Sequence, residues 1–96
     1  MELLMSLETH LSDDEKVLTI AMGEKFDFGK VQNFRDAYLN CSDSVDAIIV
    51  DLSNTEYMDS SALGMLLNMQ KTMMDKVSSF KIVNSRPQVA KILKIS

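Results

Sequence analysis

The stretch that decides the fold is Ile48-Ile49-Val50-Asp51-Leu52-Ser53 and, after Asn54-Thr55-Glu56, Tyr57-Met58-Asp59-Ser60-Ser61-Ala62-Leu63-Gly64-Met65-Leu66-Leu67. Its first part, with Ala47 ahead of it, is an apolar run that does not alternate with polar residues. That pattern predicts a strand buried on both faces. Asp51-Leu52-Ser53-Asn54 leads into a polar loop. An acid and two serines then open a helix predicted from Ser60 to about Lys76, with Asp59 as its N-cap. At about 100° per residue, Ser60, Gly64 and Lys71 share one side, with Ser61, Asn68 and Asp75 on the adjoining polar flank. Leu63, Leu66, Leu67, Met73 and Met74, with Met65 and Met69, form an apolar arc of about 200°.

Upstream, residues from about Leu3 to Leu11 read as a first strand. Val17–Met22 alternates more cleanly and reads as a second, with Asp13-Asp14-Glu15 as the polar turn between them, so the pair forms a hairpin. From Lys30 the period lengthens: Val31, Phe34, Tyr38 and Cys41 recur at helical spacing. Downstream, Phe80, Ile82 and Val83 make a further strand. Ser85-Arg86-Pro87-Gln88 opens a last helix, with serine as cap, proline in the first turn and glutamine three residues after the serine. Helices alternating with strands imply an α/β fold. The expected architecture is a mixed central sheet of about four strands with helices packed mainly on one face.

No repeat, low-complexity tract or linker divides the chain, and residues 1–96 are expected to form one domain. A net charge of −4 with no cluster of lysine or arginine excludes a generic nucleic-acid binder. Cys41 is the only cysteine, so no internal disulfide is possible, which suits a reducing compartment. The apolar runs are far shorter than the roughly 20 residues a membrane span needs. A cytoplasmic protein without membrane attachment is expected.

Ser60 is the candidate regulated residue. Free backbone N–H groups and the positive end of the helix dipole favour an anion at a helix start. Phosphorylation there adds about −1.5 to −2 charges, next to Asp59 and one turn before Gly64, whose missing side chain leaves room. Such a charge is expected to repel a partner docked at this surface without refolding the domain. The alternatives are an unregulated helix-start serine and modification of Ser61.

The succession Asp-Leu-Ser, five residues, Asp-Ser-Ser-Ala-Leu-Gly-Met-Leu-Leu resembles the signature of STAS domains, in particular bacterial anti-anti-sigma factors. The resemblance follows the order of elements from about residue 16 to residue 93. It implies phosphorylation of Ser60 by an anti-sigma factor that is itself a serine kinase of GHKL type, and reversal by a PP2C-type phosphatase. The unphosphorylated domain would sequester the anti-sigma factor. Gly23-Glu24-Lys25-Phe26-Asp27 resembles the family's loop ahead of the first helix, whose acid contributes to partner contact, and that role falls on Asp27. This chain has Ala62 where the family usually has glycine, an exchange to a better helix former. Family members also usually continue beyond the last helix.

The expected partner contacts are therefore Asp27, Asp59, Ser61, Gly64 and Met65, in a monomer or weak dimer. Each has a plainer reading: Asp59 as a cap only, Asp27 as a solvated turn acid, and Met65, with Met69 and Met73, as core filler rather than rim. Catalysis is not expected. Ser60 lies in no Gly-x-Ser-x-Gly elbow, His10 is the only histidine, and the three glycines are too dispersed for a nucleotide loop. Nor do the acids have the spacing of a metal site, and no cofactor is expected. A second reading keeps the STAS domain but places it in a stressosome-like or other partner-switching pathway whose partner is not an anti-sigma factor.

Overall fold

The computed structural model describes residues 7–95. Four strands, β1 (Leu7–Leu11), β2 (Val17–Met22), β4 (Ala47–Asp51) and β6 (Ser79–Val83), form one sheet in the order β1-β2-β4-β6. Two-residue strands β3 (Lys25–Phe26) and β5 (Tyr57–Met58) pair separately. Helices α1 (Val31–Leu39), α2 (Ser60–Met73) and α3 (Pro87–Ile95) complete the chain, with a single 3-10 turn, Phe28–Lys30, ahead of α1. The expected mixed sheet is present: β1 runs antiparallel to β2, while β2, β4 and β6 are parallel. Residues 3–6 of the predicted first strand lie outside the described residues.

The hairpin turn is built by its own side chains. Asp14 accepts from the Ser12 hydroxyl at 2.7 Å and the Lys16 amide at 3.0 Å. Those bonds, the serine's foremost, hold its carboxyl below the usual range. Glu15 takes the left-handed conformation, φ 60°, that closes the turn.

Burial alternates along both central strands. Leu18, Ile20 and Met22 of β2 and Ile48 and Val50 of β4 point into the core, packed with Phe34 and Tyr38 of α1, five residues of α2 and Val89 of α3. Val17, Thr19, Ala47 and Ile49 on the other face are only half-buried. The expectation that β4 is buried on both faces is thus corrected. Strands close both of its edges, but the helices cover one face, which is enough to favour an all-apolar run without enclosing it.

The aromatic stripe of α1 extends the core: Phe34 lies 5.2 Å from Phe26 and 5.6 Å from Tyr38, ring centre to ring centre. Cys41 falls two residues past the end of α1 and packs beside the core as a free thiol. The last helix begins at Pro87, with the Arg86 carbonyl accepting from Val89 and Ala90 at 2.9 and 2.7 Å. Arg86 therefore occupies the cap position predicted for Ser85. Proline at the first helical position loses no intrahelical bond and sets that boundary.

Candidate docking surface

The short pair β3–β5 creates the site. Its parallel register, Lys25 with Tyr57 and Phe26 with Met58, buries Phe26 and Met58 side by side. The next residue out of each strand is an aspartate, Asp27 in one and Asp59 in the other. Both act as N-caps. Asp27 accepts from the Gly29 amide at 3.1 Å and lies 3.8 Å from the Lys30 ammonium. The Asp59 carboxylate accepts from the Ser61 amide at 3.0 Å, a donor that the first turn of α2 otherwise leaves unpaired, and from the Ala62 amide at 3.3 Å, which also donates to the Asp59 carbonyl at 3.1 Å. Asp59 thus caps α2 as the sequence predicts, and the fold brings Asp27 to the same surface.

The two serines differ. Ser61 is half-buried and donates its hydroxyl to Asp59. Ser60 is exposed, and its hydroxyl makes no hydrogen bond among the described residues. Gly64 is exposed on the same side of α2, and a methyl group added there would touch nothing within 4 Å. The room at Gly64 is therefore on the outside of the molecule; the domain's own packing does not require it. Met65 is a correction. Only 8% of it is exposed and it belongs to the core, with Met69 and Met73, so its side chain is not presented on the docking rim. From α2 it reaches inward toward Phe34 and Tyr38.

Sequence reasoning missed Thr55. It is fully buried, and its hydroxyl donates to the Gly23 carbonyl at 2.9 Å. With the Glu56 and Tyr57 amides on the Glu24 carbonyl, it ties the loop before α2 to the loop before α1. The repeated Phe26-Asp27 and Met58-Asp59, each ahead of a helix, is the signal that could have revealed the pairing. Two exposed aromatics also escaped notice: Phe28, 74% exposed beside Asp27, and Tyr57, 52% exposed on β5.

Behind the site, Asp51 anchors the loop that leads to α2. It accepts from the Ser53 amide at 2.9 Å and the Asn84 side chain at 3.2 Å, while Arg86 reaches the Ser53 carbonyl at 3.2 Å. The Ser53 amide chiefly holds the Asp51 carboxyl below its usual range, against the opposing effect of burial. Asp51→Ala is expected to lose about 1–2 kcal/mol at neutral pH. Because the folded-state pKa is depressed, the contribution is complete above the ordinary value of 3.8 and disappears as pH falls from there through the lower folded value. Urea unfolding of both proteins across that range should show the gap between them closing toward acid.

Among the described residues no group of three or more histidine, cysteine or acidic side chains is placed to hold a metal. None of their helices is long and apolar enough to cross a membrane.

The mixed four-stranded sheet carries a serine-led, aspartate-capped helix at one end, the layout that the STAS resemblance implies. The STAS domain family profile matches residues 8–96, and the chain belongs to that family. It is 41% identical over 92 residues to a STAS-domain containing protein of Pseudomonas aeruginosa (strain UCBPP-PA14), covering 96% of this chain and 91% of the relative. Among solved structures, it superposes on the anti-sigma factor antagonist SpoIIAA in its unphosphorylated form with a TM-score of 0.76, at 20% identity, over 93% of this chain and 78% of the other. An anti-sigma factor antagonist STAS domain from Rhodobacter sphaeroides gives a TM-score of 0.62 at 17% identity, over 81% and 84%.

Proposed function

We propose that this chain is a phosphorylation-regulated protein-binding module that sequesters an anti-sigma factor with serine kinase activity and releases it when Ser60 is phosphorylated. The observation that carries the reading is the difference between the serines: the Ser60 hydroxyl is free and exposed, whereas that of Ser61 is bonded to Asp59. Asp27, Asp59 and Gly64 share the docking surface, and the exposed rings of Phe28 and Tyr57 supply the apolar contact that binding hot spots favour. Both solved structures cited above are described as anti-sigma factor antagonists, which supports this choice of partner. A phosphatase of PP2C type resets the switch. The module works in the cytoplasm as one domain, monomeric or weakly dimeric, and performs no catalysis itself.

The test is phosphosite mapping on protein purified from its native cells, with and without phosphatase, paired with binding of the kinase to each form. Phosphate on Ser60 that weakens binding supports the proposal; phosphate elsewhere, or tight binding by phospho-Ser60, overturns it.

Gly64 gives an independent check. Glycine inside a helix is destabilising by about 0.8–1.0 kcal/mol relative to alanine, and nothing in the domain obstructs a methyl group there. Gly64→Ala is expected to melt about 4–8 °C higher and to bind the partner more weakly, as measured by a thermal scan and calorimetry. Unchanged affinity would place the partner's close contact elsewhere.

A further inference from the structure

A second apolar surface lies along the flank of α2 that adjoins the Ser60 side, centred about two turns further along the helix. Leu63, Leu67, Gln70 and Met74 recur at steps of four, three and four, forming a stripe about three turns long. Leu67 is 62% exposed. The stripe is one wall of a groove whose floor is β6. There Phe80 and Ile82 stand on the helix-covered side of the sheet, in register with Ile48 and Val50, yet Ile82 is 42% exposed. Leu93 of α3 closes one end, over a cavity of about 310 Å³, and the trough continues past Phe80 to Met74 and Val77. The helices that bury β2 and β4 leave a gap over β6, which is also the sheet's edge.

Charge indicates what fits the gap. Residues 60–96 hold six lysines and arginines against one acid, Asp75, a net of +5; residues 1–59 hold four against thirteen, a net of −9. Lys71 lines this groove, and Lys81, which leaves β6 toward the other face of the sheet, borders it at the open edge, whereas Asp27 and Asp59 mark the Ser60 surface. A second copy paired edge to edge and centred on β6 would set Lys81 against Lys81, a like-charge clash of the kind that protects sheet edges.

We infer that the α2–β6 groove docks an acidic amphipathic helix of a partner protein, at a site separate from the Ser60 surface. The partner's apolar face would enter over Leu67, Phe80 and Ile82, with its acids against Lys71 and Lys81.

The test uses two lactam-constrained helical peptides of about 20 residues, identical in a leucine stripe and flanked either by glutamates or by lysines. Each is titrated into the isotope-labelled protein and followed by amide chemical shifts. The glutamate peptide is expected to shift Leu67, Gln70, Phe80 and Ile82 and to bind at least about tenfold more tightly, an advantage that shrinks as salt rises. The Lys71→Glu/Lys81→Glu variant should reverse the preference, and Ser60→Asp should leave it unchanged. Equal affinities, no binding at about 1 mM, or shifts centred on Asp27 and Ser60 would overturn the proposal. So would shifts of the groove amides on simple concentration of the protein, which would mean a second copy, or with phosphatidylglycerol vesicles but not the glutamate peptide, which would mean a membrane.

Discussion

Met65→Lys is expected to unfold much of the protein at room temperature. Met65 is 8% exposed and packs from α2 toward Phe34 and Tyr38, at the junction of two helices and the sheet. Removing its side chain from the core forfeits about 1.5–3 kcal/mol of burial. The lysine that replaces it must either bury a charge, at several kcal/mol, or displace the helix to reach water. Together these approach the whole stability of a small domain, about 5–15 kcal/mol. The melting temperature is expected to fall by more than about 15 °C, since each kcal/mol moves a domain of this size by about 4–8 °C. Leu67→Lys is the control: it lies two residues away on the exposed groove stripe and should change the melting temperature by less than about 4 °C, in line with a surface effect within about 0.5 kcal/mol. Circular dichroism melts of the two variants decide the matter. A Met65→Lys protein that melted like the parent would return Met65 to the surface.

That contrast shows where sequence reading reaches its limit. The order of elements along the chain, the start of α2 at Ser60 and its cap at Asp59 follow from local pattern, because caps and periodicity are local physics. The width of the apolar arc on α2 is not local. Leucines and methionines cover about 200° of it by the 100° step, and nothing in the sequence says which part meets the sheet. The structure seats Ala62, Met65, Leu66, Met69 and Met73 inward, leaving Leu67 and Met74 outside. Packing against Phe34 and Tyr38 makes that choice. The joining of Asp27 to Asp59 is likewise tertiary: two residues of strand on each side, too short for any periodicity to register, bring them together. Thr55 escaped for the same reason, since a lone threonine in a polar loop gives no sign that its hydroxyl will meet a carbonyl 32 residues away.

Ser60→Asp is expected to weaken binding of the kinase partner at least about tenfold, or roughly 1.4 kcal/mol, while moving the melting temperature by no more than a few degrees. Within the domain, two opposing effects are of similar size. A negative charge at a helix start gains about 0.3–1 kcal/mol from the dipole. Repulsion between exposed charges about 4 Å apart in water is about 1 kcal/mol, and Asp59 is the adjacent residue. They nearly cancel, so the fold has little to gain or lose. No such cancellation operates across an interface: a docked partner excludes water, the repulsion strengthens, and Asp59 already places a negative charge beside the new one. Ser60→Ala removes only an unbonded hydroxyl and should bind like the parent while resisting phosphorylation. Asp59→Asn, alone and combined with Ser60→Asp, completes a cycle with the parent and Ser60→Asp, and the double variant should recover part of the lost affinity if charge is the cause. Calorimetric titrations of the four proteins measure that coupling. A Ser60→Asp protein that bound as tightly as Ser60→Ala would mean that charge at this helix start does not govern docking.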